Sequence, residues 1–350
     1  MTKSLISLLF LLLPVLGWVE LSTETEKRPS NPDVSSQALS ANTSVSATLT
    51  TLGAKVERHG LQRVSADLIE KGKEIVHDGV TTNKAGQLIR KQSKHFVCTS
   101  CHNTQVEDPD LSNPNPEARL DYAIANQLPF LQGTTFYGIV NRETWYNGDY
   151  YKKYGDLVNT ARKDLREAVQ LCAVECAQGR SLQDWELNAV MAYLWSLEFK
   201  LDDLNLNDAD LKRIQNAKTP EDKTATADWL KSQYFTASPA TFTGAYESQQ
   251  ASKTLKGNPE RGKSIYQLSC QHCHAPNTGI TNYHLDESQL TFKMLKRHLN
   301  KYNNLSIYQV SRYGTQPVPG YKPYMPQYTL ERMSEQQLAD LRAYIVAKGQ

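Results

Sequence analysis

Two pentapeptides carry the residue types with the clearest chemistry. The first motif runs from Cys98 to His102 and the second motif from Cys270 to His274, and both have the pattern Cys-x-x-Cys-His. This pattern is typical of covalent c-type haem attachment, in which two thiols form thioethers with the porphyrin and the histidine ligates the iron. On a helix, residues three and four apart share one side, so all three groups can face one porphyrin. The sequence therefore predicts two covalently bound haem c groups, each with its iron. The predicted attachment and ligand residues are Cys98, Cys101, His102, Cys270, Cys273 and His274.

Cys-x-x-Cys alone also occurs in redox dithiols and as half of a zinc site. A dithiol site does not need the histidine that follows directly in both motifs. The two cysteine pairs also lie far apart in the chain, which argues against a shared zinc ion. Two such pentapeptides in a chain with only six cysteines favour haem attachment over both alternatives.

Composition and charge limit the class of protein. The chain has 350 residues, 39% of them hydrophobic and 22% charged, which is typical of globular protein and longer than one ordinary domain. A formal net charge of +2 does not indicate a nucleic-acid partner. Residues 257–350 contain 11 Lys and Arg against 6 Asp and Glu. A basic surface in that segment favours docking to a redox partner protein with an acidic surface.

The N-terminus has the layout of a signal peptide. Lys3 precedes an apolar run that ends near Val19 and is broken by Pro14 and Gly17. The run is short for a membrane span, which needs about 20 apolar residues. Residues 1–19 are therefore expected to be a signal peptide or a retained N-terminal membrane anchor, and the body of the chain to be periplasmic. Residues 20–60, rich in Ser, Thr, Asn and Pro, predict a disordered linker.

Apolar residues recur at helical spacing on both sides of the two motifs. One such segment follows Ser65, another spans 187–197, and Asn258-Pro259 begins a helix that leads into Cys270. Ser334 and Gln337 form a capping box at the start of the last helix. The sequence predicts an all-α fold with two tandem domains, 61–201 and 257–350, each wrapped around one haem. A polar connector, 202–256, joins them and contains one predicted helix over 209–217.

The second axial ligand of the first iron is not fixed by the motif. No histidine lies between His102 and Leu201, so sulfur ligands come into question. The candidates are Cys172, Cys176 and Met191, with His77 and His95 before the motif. Methionine in an apolar stripe is more often a core residue, and cysteines at i and i+4 of a helix predicted over 159–178 are poorly placed for a disulfide. These residues favour a cysteine thiolate as the ligand.

Residues 65–200 resemble the first haem domain of thiosulfate dehydrogenases. The likeness lies in Cys172-Ala-Val-Glu-Cys176-Ala-Gln-Gly179-Arg180, in Ala192-Tyr193-Leu194, and in Gly72-Lys73 before the first motif. It implies that Cys172, seven residues before a Gly-Arg pair, is the axial ligand and, if the chain is an enzyme, the catalytic residue. It also implies a small inorganic sulfur anion, thiosulfate, as substrate. Cations available to hold such an anion are Arg162, Lys163, Arg166 and Arg180.

The C-terminal half resembles class I cytochrome c. A methionine followed by proline, shortly before the last helix, supplies the distal iron ligand in that family, and Met325-Pro326 fits this pattern. Lys322 lies close enough in sequence to compete with Met325. Weaker candidates are His284, Met294, His298 and Met333.

Unlike axial ligands give unlike potentials, because a thiolate stabilises ferric iron and a histidine–methionine pair raises the potential. The sequence thus predicts an exported dihaem cytochrome. Electrons would pass from a low-potential haem ligated by His102 and Cys172 to a high-potential haem ligated by His274 and Met325, and then to a redox partner. The alternative is a thiosulfate dehydrogenase-like enzyme that oxidises thiosulfate to tetrathionate at the first haem.

Overall fold

Short helices joined by long loops make up the computed structural model, which describes residues 40, 42–61, 63–301, 305–315 and 325–350. Within these ranges the β-structure consists of isolated bridges, such as the one between Ser44 and Lys200. The predicted helical fold is confirmed. None of the helices in these ranges has the length and apolar character of a membrane span. The predicted signal peptide or anchor at 1–19 lies outside the described residues.

The α-helices are α1 Val45–Thr51, α2 Ala66–Asp78, α3 Pro116–Asn126, α4 Tyr151–Tyr154, α5 Val158–Ala161, α6 Leu165–Leu171, α7 Asp184–Ser196, α8 Asp208–Asn216, α9 Pro220–Lys231, α10 Ala245–Thr254, α11 Pro259–Ile265, α12 Gln271–His274, α13 Gln289–His298, α14 Ile307–Tyr313 and α15 Glu335–Lys348. Short 3-10 turns lie at Cys98–Ser100, Ile139–Asn141, Gly148–Tyr150, Gly155–Leu157 and Leu201–Leu204. Two π-helical turns lie at Cys172–Cys176 and Tyr266–Cys270.

The same helix crossing occurs twice, between α2 and α7 and between α11 and α15. At each crossing a glycine lies against a backbone carbonyl group, Gly72 against Ala189 and Gly262 against Asp340. A Cβ atom would come within 1.9 Å of the carbonyl oxygen at Gly72 and within 2.0 Å at Gly262. Each glycine therefore allows close contact between two helix backbones. In each pair, the first helix precedes one Cys-x-x-Cys-His motif in the chain.

The two crossings lie in separate apolar cores. The first core contains Ile75 and Val76 of α2 and Val190 and Leu194 of α7. The second contains Ile265, Phe292 and Leu341 of α11, α13 and α15. Leu120 of α3 and Phe130 also belong to the second core. The packing therefore does not follow the predicted division at residue 201, because α3 and Phe130 precede that boundary but pack in the C-terminal core.

Part of the segment predicted as a disordered linker, 20–60, is helical. Ser44 caps α1 by accepting a hydrogen bond from the Ala47 amide at 3.0 Å. Val45 and Leu49 are buried in a third apolar core that includes Leu201 and Leu230. The few apolar residues of this polar segment pack on a distant part of the chain. The composition of the segment alone did not indicate that packing.

The predicted connector, 202–256, is also more ordered than expected. It contains α8, α9 and α10 instead of one helix. Ile214, Leu230 and Tyr234 are buried in the third core with α1. The helix predicted over 159–178 is interrupted instead, because Asp164 accepts a hydrogen bond from the Arg166 amide at 2.8 Å and starts a new helix.

Candidate haem sites

A cavity of about 200 Å³ lies beside the first motif. Cys98, Cys101 and His102 line it, and so do Cys172 and Cys176 from the π-helical turn. Apolar side chains from the first core complete much of the wall. The structure thus brings together the first motif and both cysteines that the sequence singled out.

His102 is held in one orientation at this cavity. Its Nδ1 lies 2.6 Å from the carbonyl oxygen of Thr134, and a carbonyl only accepts, so Nδ1 carries the proton. The Phe136 ring stacks on the imidazole at 4.4 Å, and a Cβ atom at Gly133 would approach within 2.5 Å of Cε1. This arrangement leaves the Nε2 lone pair available to a metal, as in histidines fixed by an outer hydrogen bond.

His274 of the second motif repeats this arrangement. Its Nδ1 lies 2.6 Å from the carbonyl oxygen of Tyr283. Burial lowers the pKa of His102 and of His274, so both rings favour the neutral form that ligates metals. The Tyr283 hydroxyl donates to the Met294 sulfur at 3.3 Å, which places Met294 beside the loop that orients His274.

All six cysteines of the chain lie in the described residues as free thiols. Burial raises the pKa of Cys98 to about 11 and that of Cys270 to about 12. None of the motif cysteines forms a disulfide with another described residue, so all four are available for thioether attachment.

The two cysteines of the π-helical turn form a hydrogen-bonded pair. Cys172 donates to Cys176, which raises the pKa of Cys172 and lowers that of Cys176. The Tyr154 hydroxyl lies 3.3 Å from the Cys176 sulfur, and the Tyr146 hydroxyl also contacts it. The surroundings therefore favour the thiolate on Cys176 and the proton on Cys172. The π-helical turn follows from an Ala177 amide that reaches the Cys172 carbonyl oxygen at 2.8 Å.

The other candidates for the first iron lie elsewhere. Met191 is fully buried in the first core, and His77 pairs with the Tyr193 hydroxyl at 3.0 Å. Among the residues that the structure describes, no methionine and no histidine except His102 lines the cavity. The cysteine pair is the sulfur source that the cavity offers.

The cations predicted to hold a substrate anion do not line this cavity, within the described part of the chain. Arg180 pairs with Glu186 at 2.6 Å, Arg166 donates to Asn188 at 2.8 Å, and Arg162 donates to the Tyr146 carbonyl at 3.3 Å. Lys163 does not line the described part of the cavity either, which agrees with the alternative that these cations belong to a solvated helix face. The cations on the wall are Arg142 and Arg332. Sequence reasoning missed them because no local pattern marks them and Arg332 comes from the far end of the chain.

Met325 begins the last described segment. Its amide donates to the Thr315 hydroxyl at 2.8 Å, and the Thr315 amide donates to its carbonyl oxygen at 2.9 Å. Met333 is buried in the second core. Lys322 lies outside the described residues. Ligation by Met325 stays a prediction.

The two motifs touch each other. The Cys273 sulfur lies 3.9 Å from the Ser100 carbonyl oxygen. The His272 ring, in the middle of the second motif, lies against the carbonyl groups of Thr99 and Ser100 and is largely buried there. Segments 172 residues apart in the sequence, at Cys98 and Cys270, are thus direct neighbours in the fold.

Comparison with known proteins identifies one part of the chain. A family model described as cytochrome c matches residues 259–347. No curated protein matches the chain, and no solved structure matches it. The matched segment contains the second motif, the Gly262 crossing and the capped last helix. Residues 259–347 are therefore a cytochrome c domain that carries a haem c at Cys270 and Cys273.

Proposed function

We propose that this chain is an exported dihaem c-type cytochrome that passes electrons from a haem at the first motif, haem 1, to a haem at the second motif, haem 2. The observation that carries the proposal is the contact between the motifs, with Cys273 sulfur 3.9 Å from the Ser100 carbonyl oxygen. Porphyrins joined to these cysteines would be held at neighbouring positions. The cytochrome c domain supports electron transfer as the activity.

The residues at the first motif fit a haem. Two reduced thiols and an imidazole with an available Nε2 line one cavity, and a second pair of thiols lines it as well. When bound, each haem supplies an iron that changes its charge by one electron. Cys98 and Cys101 would hold the porphyrin, and the Thr134 carbonyl orients His102. At the second motif, Cys270 and Cys273 would hold the porphyrin, and His274 would ligate the iron.

Cys172 is the thiolate ligand that we propose for haem 1. Cys176 is already engaged by Tyr146 and Tyr154, whereas the polar partner of Cys172 at the cavity is Cys176 itself. The resemblance of residues 65–200 to thiosulfate dehydrogenases also favours Cys172 over Cys176 as the ligand. A thiolate at haem 1 and Met325 at haem 2 would set a low and a high potential, which gives electron flow its direction.

Haem content tests the proposal. We expect two haems per chain in the wild type and one in the double variant Cys98→Ala/Cys101→Ala, measured as the pyridine haemochrome against protein concentration. Cys176→Ser serves as the control, because it changes a cavity cysteine outside both motifs and should keep two haems. A wild type with a single haem would rule out the dihaem function.

Replacement of the proposed ligand should change one haem and spare the other. In Cys172→Ala the low-spin electron paramagnetic resonance signal of haem 1 should lose its thiolate character, since the iron loses an anionic ligand. The signal of haem 2 should stay as in the wild type. Cys176→Ala should retain thiolate ligation, because it removes only a neighbour of the ligand and leaves Cys172 in place. If the effects of the two substitutions are reversed, Cys176 is the ligand.

Thiosulfate oxidation is the second candidate function, and the thiol pair at the cavity is the observation in its favour. The four cations that the sequence offers for the anion do not line the described part of the cavity, although Arg142 and Arg332 do. The cytochrome c domain supports electron transfer, which is the function that we prefer. Thiosulfate added to the oxidised protein distinguishes the two. Reduction of the haems by thiosulfate alone would favour the enzyme, and an unchanged visible spectrum would exclude it.

We also infer a periplasmic location and an acidic redox partner. Lys293, Lys296 and Arg297 lie on α13 of the cytochrome c domain, in a C-terminal segment with an excess of cations. Such a surface attracts an acidic protein and makes the association rate fall with ionic strength.

A further inference from the structure

The wall of the first cavity contains buried hydrogen-bond donors that have no partner among the described residues. These are Arg142 Nε, Trp145 Nε1, Gln327 Nε2 and Thr329 Oγ1. Each of these side chains is at least nine-tenths buried, with exposed fractions of 9%, 6%, 6% and 2%. Buried polar atoms are nearly always satisfied, and leaving one donor unpaired costs about 1–3 kcal/mol. The same wall has one unpartnered acceptor, Gln132 Oε1, so donors outnumber acceptors four to one and indicate a group that mainly accepts hydrogen bonds.

The buried charges near this wall are unbalanced. Arg119, Arg142 and Arg332 are all buried, whereas the nearby carboxylates are Glu107 and Asp108. Burial raises the pKa of Asp108, and the neighbouring charge of Glu107 raises it further, which weakens its role as a counter-ion. Within the described part of the chain, at least one of these cations therefore lacks a partner of opposite charge, and buried charges are stable only when they are paired.

Arg142 and Arg332 bring this excess charge to the cavity itself. Arg142 donates through Nη1 to the Thr134 hydroxyl at 3.0 Å and to the Ser238 hydroxyl. Arg332 donates through Nη2 to the carbonyl oxygens of Leu131 at 2.9 Å and Gly133 at 2.6 Å. These bonds fix both guanidinium groups beside the His102 segment, and their charges lower the pKa of His102 in addition to burial.

We propose that this wall is the binding site for the propionate carboxylates of haem 1. The site has the donors and the positive charge that two carboxylates need, and it lies in the cavity that holds the attachment cysteines. Arg142 and Trp145 come from the N-terminal part of the chain, and Gln327, Thr329 and Arg332 from the cytochrome c domain. Haem 1 would be held by both halves of the protein. This inference rests on the proposed dihaem function.

The full haem-loaded protein with Arg142→Gln tests the site. Loss of a buried cation beside the carboxylates should lower the reduction potential of haem 1, since the ferric state gains relative stability. It should also shift the propionate bending band in the resonance Raman spectrum. Thr329→Val removes one hydroxyl donor at nearly constant volume and should shift the same band with a smaller change in potential. Arg142→Lys keeps the charge and should restore most of the potential.

Two controls make the outcome decisive. Arg213→Gln removes a cation that packs on Trp229, away from the cavity, and should change neither the potential nor the Raman band. The double variant Cys98→Ala/Cys101→Ala identifies which potential belongs to haem 1. If Arg142→Gln and Thr329→Val keep two haems per chain and leave potential and band unchanged, the propionate site is overturned and the dihaem function stands. If the first motif carries no haem, the proposed function itself fails.

A free oxyanion is the other group that such donors could hold. Sulfite or phosphate added to the wild-type protein should leave the propionate band and the potential of haem 1 unchanged, because the carboxylates already occupy the donors. A saturable change in both on addition of either anion would overturn the assignment to the propionates.

Discussion

Gly262→Ala is expected to destabilise the cytochrome c domain by roughly 3 kcal/mol, the upper end of the range for overpacked cores. The new Cβ atom would lie 2.0 Å from the Asp340 carbonyl oxygen and 2.9 Å from the Tyr344 Cβ atom. Both atoms belong to α15: one is a backbone oxygen and the other is bonded directly to the backbone. The helices α11 and α15 would therefore have to move apart. The gain of about 1 kcal/mol from the higher helix propensity of alanine does not offset this separation.

Urea unfolding followed by far-ultraviolet circular dichroism measures the effect. Lys263→Ala is the matched control, because Lys263 is the next residue of α11 and is exposed. Gly72→Ala should have a similar effect at the crossing of α2 and α7, with exposed Lys73→Ala as its control. Equal midpoints for Gly262→Ala and Lys263→Ala would mean that the helices do not cross in contact.

Glu107→Gln is expected to destabilise the protein by about 3–5 kcal/mol, the usual cost of removing one partner from a buried ion pair. Glu107 is 1% exposed and lies 2.7 Å from Arg332 and 3.9 Å from Arg119. It also accepts hydrogen bonds from the side chain of Asn103 and the amide of Thr135, both at 2.8 Å. Neutralising it leaves two buried guanidinium groups with less compensation.

The same carboxylate predicts sensitivity to acid. Burial alone would raise the pKa of Glu107, but the charges of Arg332 and Arg119 and the hydrogen bonds from Arg332 and Asn103 outweigh it and lower the pKa to about 2. A depressed pKa stabilises the fold above the unfolded value of about 4.3, and this stabilisation is lost as pH falls towards 2. Between these values the unfolding free energy of the wild type should fall more steeply than that of Glu107→Gln.

Glu143→Gln provides the control for both measurements. Glu143 forms an exposed ion pair with Lys231 at 2.7 Å, and exposed pairs contribute about 0–1 kcal/mol. Its replacement should leave the urea midpoint and the acid transition nearly unchanged. If Glu107→Gln behaves like Glu143→Gln, the buried charge does not stabilise the fold.

Local signals in the sequence predicted the parts of the fold that depend on near neighbours. The capping box of Ser334 and Gln337 is present, with Ser334 Oγ accepting from the Gln337 amide at 3.1 Å. Asn258 caps α11 as its Asn-Pro sequence predicts. The two Cys-x-x-Cys-His motifs were recognisable from residue type and spacing alone, whereas Cys172 was singled out by the resemblance to thiosulfate dehydrogenases. The structure places the first motif and Cys172 at one cavity.

Features that depend on distant partners were not predictable in this way. Val45 and Leu49 look like isolated apolar residues in a polar segment until Leu201 and Leu230 cover them. The π-helical turn depends on the hydrogen bond from the Ala177 amide to the Cys172 carbonyl oxygen. Residue types alone do not predict that bond. Arg332 reaches the first cavity from about 230 residues downstream of Cys101, through contacts with the backbone at 131–133. Long-range polar contacts of this kind produce no periodic pattern in the sequence.

The wall that Gln327 and Arg332 contribute to the first cavity also imposes an order on biogenesis. On the proposed dihaem function, thioether bonds at Cys98 and Cys101 have to form while the thiols are accessible, and both cysteines are partly buried in the folded chain. Residues 325–332 follow Cys101 by more than 220 residues, so the first motif is synthesised long before this part of the wall. We therefore expect haem attachment at the first motif to precede docking of the C-terminal segment, and premature docking to yield a chain with a haem at the second motif alone.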